Sequence, residues 1–122
     1  MRFKALINIH RITYTTMNKK SQTEAERRKG IPVYSGFIKY FPRAILEVAR
    51  LSKIANEQHN PGTELHWDRS KSGDELDALG RHLIDHASGV EVDDDGVLHI
   101  AKIAWRSMAF LEKYLENNNN GK

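Results

Sequence analysis

Residues 57–85 read EQHNPGTELHWDRSKSGDELDALGRHLID, and this stretch carries the strongest signals for both fold and chemistry. Four charged residues of its second half recur at i, i+3, i+7 and i+11, namely Asp74, Asp77, Arg81 and Asp85. On an α-helix such positions share one face. Glu57 lies at the end of the preceding helical pattern. Because carboxylates on two antiparallel helices are suited to hard divalent cations, the stretch predicts a helical hairpin that carries a polar site.

The first helix of the hairpin is predicted from Arg43 to about Gln58, where apolar residues recur at helical spacing. Pro42 suits its first turn, since the missing N–H would be unpaired there. The sequence Asn60-Pro61-Gly62 ends it. The polar residues 60–72 follow as a loop, and loops of that length in a compact domain are usually functional or disordered.

The second helix is predicted over residues 73–87, with Ser72 or Gly73 as its cap and Asp74 and Glu75 in its first turn, where the helix dipole favours anions. Three leucines and a flanking isoleucine are expected to face the core: Leu76, Leu79, Leu83 and Ile84. The acidic run that follows, residues 91–96, lacks the ligand spacing of a calcium loop and is expected to form a turn.

A third helix is predicted from about Val97 to Leu115, and it is apolar around most of its circumference. A helix of this kind is buried on both sides, and in so short a chain a partner subunit is the natural cover. Residues 117–122 are expected to be a disordered tail. The predicted fold class is therefore all-α, a helical bundle completed by oligomerisation.

Composition narrows the functional classes. The 122 residues suit one domain, and with no cysteine there is neither a disulfide framework nor a thiolate metal site. The sequence has no run of 18 apolar residues and no recognisable signal peptide. A membrane protein is therefore not expected, and a cytoplasmic location is expected. Residues 1–30 carry eight Lys/Arg and two Glu, a balance of +6, whereas residues 31–122 carry eleven and fourteen, a balance of −3.

The basic character thus belongs to residues 1–30, which we predict to be a flexible segment ahead of the folded domain. Residues 6–14 are β-prone, but a single strand is not stable by itself. The sequence becomes polar and charged from Met17 onward, and Met17 is a hypothetical natural start. A basic segment can also bind nucleic acid, so a small DNA-binding or regulatory protein is the alternative function.

The charged side chains favour a metal and phosphate site. Asp74 and Asp77 can converge on one Mg²⁺ or Mn²⁺ ion, Glu57 can close the site, and Glu47 can serve a second ion or a catalytic water. Three cationic side chains would neutralise phosphate oxygens: Arg69, Lys71 and Arg81. The simpler interpretation is that acidic residues lie on a solvated helix face and that Arg81 pairs with Asp77 and Asp85.

The histidines and tryptophans also leave alternatives open. The spacing of the histidines at 59, 66, 82, 86 and 99 does not match a zinc motif, so packing or hydrogen-bonding roles are expected for most of them. Trp67 lies in the polar loop, where it can stack on a base or anchor the loop. Trp105 is expected in the core.

Several motifs in order resemble the phage MazG-like dATP/dGTP diphosphohydrolases. The matching segments are Phe41-Pro42-Arg43-Ala44, residues 47–52, residues 56–62, His66-Trp67, Arg69-Ser70-Lys71-Ser72, Asp74, Asp77-Ala78, Arg81-His82-Leu83, Asp85, Asp95-Gly96, His99 and Ala104-Trp105-Arg106. The resemblance covers roughly residues 31–116, and it places a MazG-like nucleotide pyrophosphohydrolase domain over that range.

The resemblance implies an all-α enzyme of the MazG/HisE superfamily that cleaves a nucleoside triphosphate between its α and β phosphates. Such enzymes hold two or three Mg²⁺ or Mn²⁺ ions on an E-x-x-E … E-x-x-D signature and assemble as dimers or tetramers. In this chain Asp74 and Asp77 match the second half of the signature. In the first half Glu57 is present, but Ile54 occupies the position three residues earlier, where the signature has a glutamate. Glu47 is the candidate for the missing carboxylate.

The resemblance also suggests roles for individual residues. Glu47 and Glu57 would be catalytic, and both would join Asp74 and Asp77 as metal ligands. Asn56, Asn60 and Trp67 are the candidates for base contacts. The implied substrates are dGTP and GTP, with dATP as a further candidate, in a phage pathway that makes 2-aminoadenine nucleotides. A helical scaffold that only oligomerises is a third reading of the same sequence.

Overall fold

The computed structural model describes residues 22–71 and 73–120, with side chains up to residue 118. Within these residues there are four α-helices: α1 (Glu24–Lys29), α2 (Pro42–His59), α3 (Glu75–Ala87) and α4 (His99–Asn120). A π-helical turn (Tyr34–Ile38) and a 3-10 turn (Arg69–Lys71) lie between them. An isolated bridge between Val92 and Leu98 is the β-structure found in the described residues. The predicted all-α fold is confirmed.

The chain divides after Tyr40 into two units. Within the first unit, α1 lies inside the segment that we expected to be flexible. Thr23 and Glu26 form a capping box at its start, where each side chain accepts a hydrogen bond from the other's backbone N–H. The π-helical turn Tyr34–Ile38 follows in the same unit. The β-prone residues 6–14 and Met17 lie outside the described residues.

The second unit, from Phe41, is built on α4. Helix α3 packs along α4, and α2 packs against α4 as well. A small core joins α2 to α4 through Leu51, Val97 and Ala101, and Ile54, Leu98 and Trp105 pack around it. Trp105 therefore lies in the core, as predicted.

The boundaries of α2 follow the predicted signals. Pro42 occupies its first turn, and the helix ends at His59 with Asn60 as the C-cap. Gly62 follows with φ of 78°, a left-handed conformation that favours glycine. The acidic run also turns as predicted, with Gly96 at φ of 80° and its N–H donating to the Asp93 carbonyl at 2.9 Å.

The buried face of α3 differs from the prediction. Ala78 and Glu75 are buried, whereas Leu76, Leu83 and Ile84 are 56%, 52% and 66% exposed. Small residues permit a close approach of α3 to α4, and the Glu75 carboxylate is matched by the Lys113 ammonium at 3.0 Å. The assignment of Leu76 and Leu83 to the core of the chain, with Ile84 beside them, is therefore wrong, whereas Leu79 is half-buried.

The helix termini also differ from the prediction. Helix α3 starts at Glu75, and Asp74 is its N-cap without a side-chain cap bond. Gly73 therefore does not cap the helix, and Ser72 lies outside the described residues. Helix α4 extends to Asn120, through four residues of the expected disordered tail, and the Asn118 side chain donates to the Tyr114 carbonyl at 2.7 Å.

Apolar side chains of α4, which we expected to be covered on both sides, are exposed in the single chain. They include Ile100, Met108, Phe110, Leu111, Tyr114 and Leu115. No described helix combines the length and apolarity needed to cross a bilayer.

Candidate functional site

A cavity of about 500 Å³ lies between α2, the loop that follows it, and α4. This volume falls within the range of roughly 300–1,000 Å³ that is usual for small-molecule sites. Cationic side chains line it from the loop and from α4: Lys71, Lys102 and Arg106. We call it the α2–α4 cavity, and it is large and polar enough for an anionic ligand.

Two aromatic rings form one wall of the α2–α4 cavity. The Trp67 and Trp105 ring centroids lie 5.6 Å apart at an interplanar angle of 77°, an edge-to-face arrangement. The Trp105 indole N–H donates to Ser52 Oγ at 3.0 Å, which fixes that ring against α2. Trp67 is thus anchored by an aromatic contact and also lines the cavity.

Two cationic side chains lie close to the Trp67 ring. The Arg69 guanidinium lies 4.1 Å from its ring centroid, and Lys113 Nζ lies 5.7 Å from it. Arg69 also pairs with Glu116 of α4 at 2.7 Å. These contacts tie the loop to α4 and hold the indole at the cavity.

Asn56 and Trp67 present polar atoms that the described residues leave unsatisfied. Asn56 is buried, and its Nδ2 donates to the Thr63 carbonyl at 3.3 Å. Its Oδ1 and the Nε1 of Trp67 are both buried, and neither has a hydrogen-bond partner among the described residues. Unsatisfied buried polar atoms are rare in folded proteins, and both of these residues line the α2–α4 cavity.

Two residues of the loop after α2, Asn60 and Asp68, hold Lys71 at the cavity. Its Nζ lies 3.3 Å from Asn60 Oδ1 and 3.8 Å from the Asp68 carboxylate. Hydrogen bonds from Ser70, chiefly from its hydroxyl, lower the pKa of Asp68 and keep that carboxylate ionised. Lys71 is therefore positioned but still largely exposed.

A family model described as dATP/dGTP diphosphohydrolase, N-terminal, matches residues 19–122. The chain belongs to this family. It is accordingly an enzyme, a deoxynucleoside triphosphate diphosphohydrolase that hydrolyses nucleotides. Comparison with curated proteins and with solved structures returned no match.

Most of the residues with predicted base and phosphate roles in this diphosphohydrolase lie at one site. Asn56, Asn60, Trp67 and Lys71 all line the α2–α4 cavity. Arg69 contacts the back of Trp67, as described above. Arg81 pairs with Asp74 at 3.0 Å. The two residues lie on the same helical face, as expected, but the predicted partners of Arg81 were Asp77 and Asp85.

Two of the predicted carboxylate ligands are paired with arginines, and the other two are exposed. Glu47 pairs with Arg50 at 2.5 Å, and hydrogen bonds from Arg50 lower its pKa. Asp74 pairs with Arg81, whose hydrogen bond lowers the pKa of Asp74. Glu57 and Asp77 are exposed. Across residues 22–71 and 73–120, these four side chains do not form a group that converges on one point.

A different group converges at the far end of α3. His82, Asp93 and His99 each offer a ligand atom within 4.8 Å of the others. We call this group the histidine–aspartate cluster. The sequence did not indicate it, because its members come from α3, a turn and the start of α4, and no fixed spacing links them.

Lys102 organises the turn beside the cluster. Its Nζ lies 2.7 Å from carboxylate oxygens of both Asp93 and Asp95. The hydrogen bond from Lys102 lowers the pKa of Asp93. For Asp95, burial acts to raise the pKa, but hydrogen bonds from Lys102 and from the Val97 N–H, together with the Lys102 charge, lower it overall. Burial, and next the Lys102 charge, lower the pKa of His82, so that imidazole is neutral at pH 7.

Proposed function

We propose that this diphosphohydrolase is of the phage MazZ type in the MazG/HisE superfamily and converts dGTP or GTP to the monophosphate and pyrophosphate. A role of dATP as a further substrate is part of the proposal. The protein would act in the host cytoplasm, in phage purine and 2-aminoadenine nucleotide metabolism, as a dimer or tetramer. The observation that carries the proposal is the α2–α4 cavity, which is lined by three cationic side chains together with Asn56, Asn60 and Trp67.

Base recognition is assigned to Asn56, Asn60 and Trp67. The Asn56 Oδ1 is an acceptor and the Trp67 Nε1–H is a donor, and a purine edge offers groups complementary to both. Guanine presents N–H donors beside a carbonyl acceptor, which matches this pair of atoms. Missing either contact would leave a buried polar atom unsatisfied, and that penalty is a source of selectivity.

Phosphate binding is assigned to Lys71, Arg69 and Arg81. Lys71 supports the assignment best, because its ammonium lines the α2–α4 cavity. Arg69 contacts the ring of Trp67 and so lies close to the same cavity. These cations would hold the leaving pyrophosphate and offset the charge that it gains as the bond between the α-phosphorus and the bridging oxygen breaks.

Metal binding is assigned to Glu47, Glu57, Asp74 and Asp77, with Glu47 or Glu57 as the proton acceptor from water. Carboxylate oxygens are the ligand type that Mg²⁺ and Mn²⁺ prefer, so the residue types suit these ions, and binding would require the four side chains to come together. Two or three bound ions would reduce the charge of the phosphates and lower the pKa of a water molecule. The carboxylate would accept a proton from this water, and the resulting hydroxide would attack the α-phosphorus as the bond to the bridging oxygen breaks.

A direct assay tests the proposal. The purified protein is incubated with each dNTP and with GTP in the presence of Mn²⁺ or Mg²⁺, and the products are separated by ion-exchange chromatography. We expect dGMP and pyrophosphate in equal amounts, with a chelator abolishing the reaction. Release of orthophosphate, or equal rates with purines and pyrimidines, would contradict the proposal.

A further inference from the structure

The two imidazoles of the histidine–aspartate cluster lie close enough to share one ion. His82 Nδ1 and His99 Nδ1 face each other at 2.9 Å, and the ring centroids are 5.1 Å apart. Two ligand nitrogens about 2.05 Å from an ion would lie about 3.35 Å apart at the tetrahedral angle that Zn²⁺ usually adopts. The observed separation is that of a hydrogen bond, and the two nitrogens need to separate by only about 0.5 Å to occupy adjacent ligand positions on one ion.

The surroundings of His99 favour the ion. His99 is 2% exposed, so its ring is fixed, and its backbone N–H donates to the Glu91 carbonyl at 2.9 Å. The other ring nitrogen, Nε2, lies 3.8 Å from a carboxylate oxygen of Asp85. Metal-binding histidines commonly direct the second nitrogen to a carboxylate, which orients the ring and makes it a better ligand.

Asp93 is the third ligand of the cluster, and its carboxylate is already bound by Lys102. Its Oδ1 accepts the Asp94 N–H at 2.8 Å, and its Oδ2 accepts from Lys102 at 2.7 Å. An ion ligated by Asp93 would compete with the Lys102 ammonium for this carboxylate. Lys102 has a second carboxylate partner in Asp95, also at 2.7 Å, so it can yield Asp93 without losing its ion pair.

We propose that His82, Asp93 and His99 bind a borderline divalent transition ion such as Zn²⁺ or Co²⁺, separately from the carboxylates assigned to Mg²⁺ or Mn²⁺. Two imidazoles and one carboxylate suit these ions better than they suit Mg²⁺. Because His82 also lines the α2–α4 cavity, the ion would lie next to the place where phosphates bind. The inference concerns binding and holds whether or not the proposed substrate is correct.

Calorimetric titration of the metal-free protein tests the site, with Zn²⁺ as the probe and millimolar Mg²⁺ present to saturate carboxylate sites. We expect one saturable ion per chain. His82→Asn and Asp93→Asn should each weaken the affinity at least tenfold. His59→Gln is the matched control, since His59 is an exposed histidine that lines the same cavity but lies outside the cluster, and its affinity should equal that of the wild type.

Lys102→Met tests the competition for Asp93, and its affinity for Zn²⁺ should rise. An unchanged or weaker affinity in that variant overturns the placement of the ion at Asp93. Absence of saturable binding, or full affinity in both His82→Asn and Asp93→Asn, overturns the proposal.

If circular dichroism shows that the variants do not fold, wild-type protein with ¹⁵N-labelled histidine provides the answer. Zn²⁺ should shift the Nδ1 resonances of two imidazoles, and unchanged Nδ1 resonances at saturating Zn²⁺ overturn the site.

Discussion

Glu75 and Lys113, 38 positions apart in the chain, form an ion pair of 3.0 Å in which Glu75 is only 5% exposed. The pair joins the first turn of α3 to the middle of α4. Because a buried carboxylate that loses its cation is strongly destabilising, this contact is a main determinant of how the two helices pack.

Lys113→Met should lower the free energy of unfolding by about 2 kcal/mol, less than the roughly 3–5 kcal/mol of a fully buried pair because Lys113 is partly exposed. The double variant Glu75→Met/Lys113→Met should recover most of the loss. Urea denaturation of both, with Glu112→Gln as an exposed control on α4, measures the coupling. Additive losses in the double variant would show that the pair is not coupled.

Removal of the Arg69–Glu116 contact should affect substrate binding more than folding. Both side chains are exposed, so Glu116→Gln should change the stability by less than about 1 kcal/mol. Arg69 would then hold Trp67 less firmly at the cavity, and KM for dGTP should rise several-fold with kcat little changed. Steady-state kinetics beside the Glu112→Gln control measures this, and an unchanged KM would remove Arg69 from substrate positioning.

Substitutions of Trp67 separate stacking from hydrogen bonding at the base. Trp67→Phe keeps an aromatic ring but loses the N–H donor, and a single lost hydrogen bond of about 0.5–1.5 kcal/mol predicts a loss in kcat/KM of about two- to tenfold for dGTP. Trp67→Ala should lose more. Equal losses in both variants would assign the whole effect to the N–H group.

Asp77→Ala should abolish pyrophosphate release in the presence of Mn²⁺ while leaving the fold intact, since Asp77 is exposed on α3. The comparison variant is Asp94→Ala, an exposed aspartate of the turn before α4, which should retain activity. Pyrophosphate release and circular dichroism are measured on the same samples. Activity near that of the wild type in Asp77→Ala would exclude Asp77 as a ligand.

The Lys102 ion pairs should make stability depend on pH at both extremes. Asp93 and Asp95 have lowered pKa values, so their contribution is complete above the ordinary aspartate pKa of about 3.9 and is lost as the pH falls through the folded-state values. The two carboxylates raise the pKa of Lys102 against the effect of burial. Its contribution is therefore complete below about 10.4 and is lost as the pH rises through its folded-state value.

The measurement is the difference in Tm between wild type and Lys102→Met, taken with a chelator present. This difference should be largest near pH 7 and should narrow below about pH 4. The exposed Lys53 supplies the control, and Lys53→Met should show a small difference at every pH. A Lys102→Met difference that is constant from pH 7 to pH 3 would contradict the assignment.

Local signals in the sequence predicted the helices well but not the way they pack. Pro42 and Asn60-Pro61-Gly62 set the limits of α2, because they act through backbone geometry alone. The buried face of α3 depends on Lys113, far along the chain, and no periodic pattern reveals that partner for Glu75. Leu76 and Leu83 were therefore assigned to the buried face of α3, which Glu75 and Ala78 occupy instead.

The sequence predicted several residues of the candidate site but not the contact between His82 and His99. Asn56, Asn60, Trp67 and Lys71 lie at one cavity because the end of α2 and the following loop are adjacent in sequence. His82 and His99 are 17 positions apart and meet only through the packing of α3 on α4. Their contact depends on tertiary structure, which spacing rules for metal motifs do not describe.

The edge-to-face indole pair has a practical consequence. Trp67 and Trp105 are the two tryptophans of the entire chain, and both line the α2–α4 cavity. Ultraviolet emission from the unlabelled protein therefore originates at the cavity wall, and a nucleotide that stacks there would quench it. Occupancy can be followed by fluorescence in real time, without a dye and without turnover.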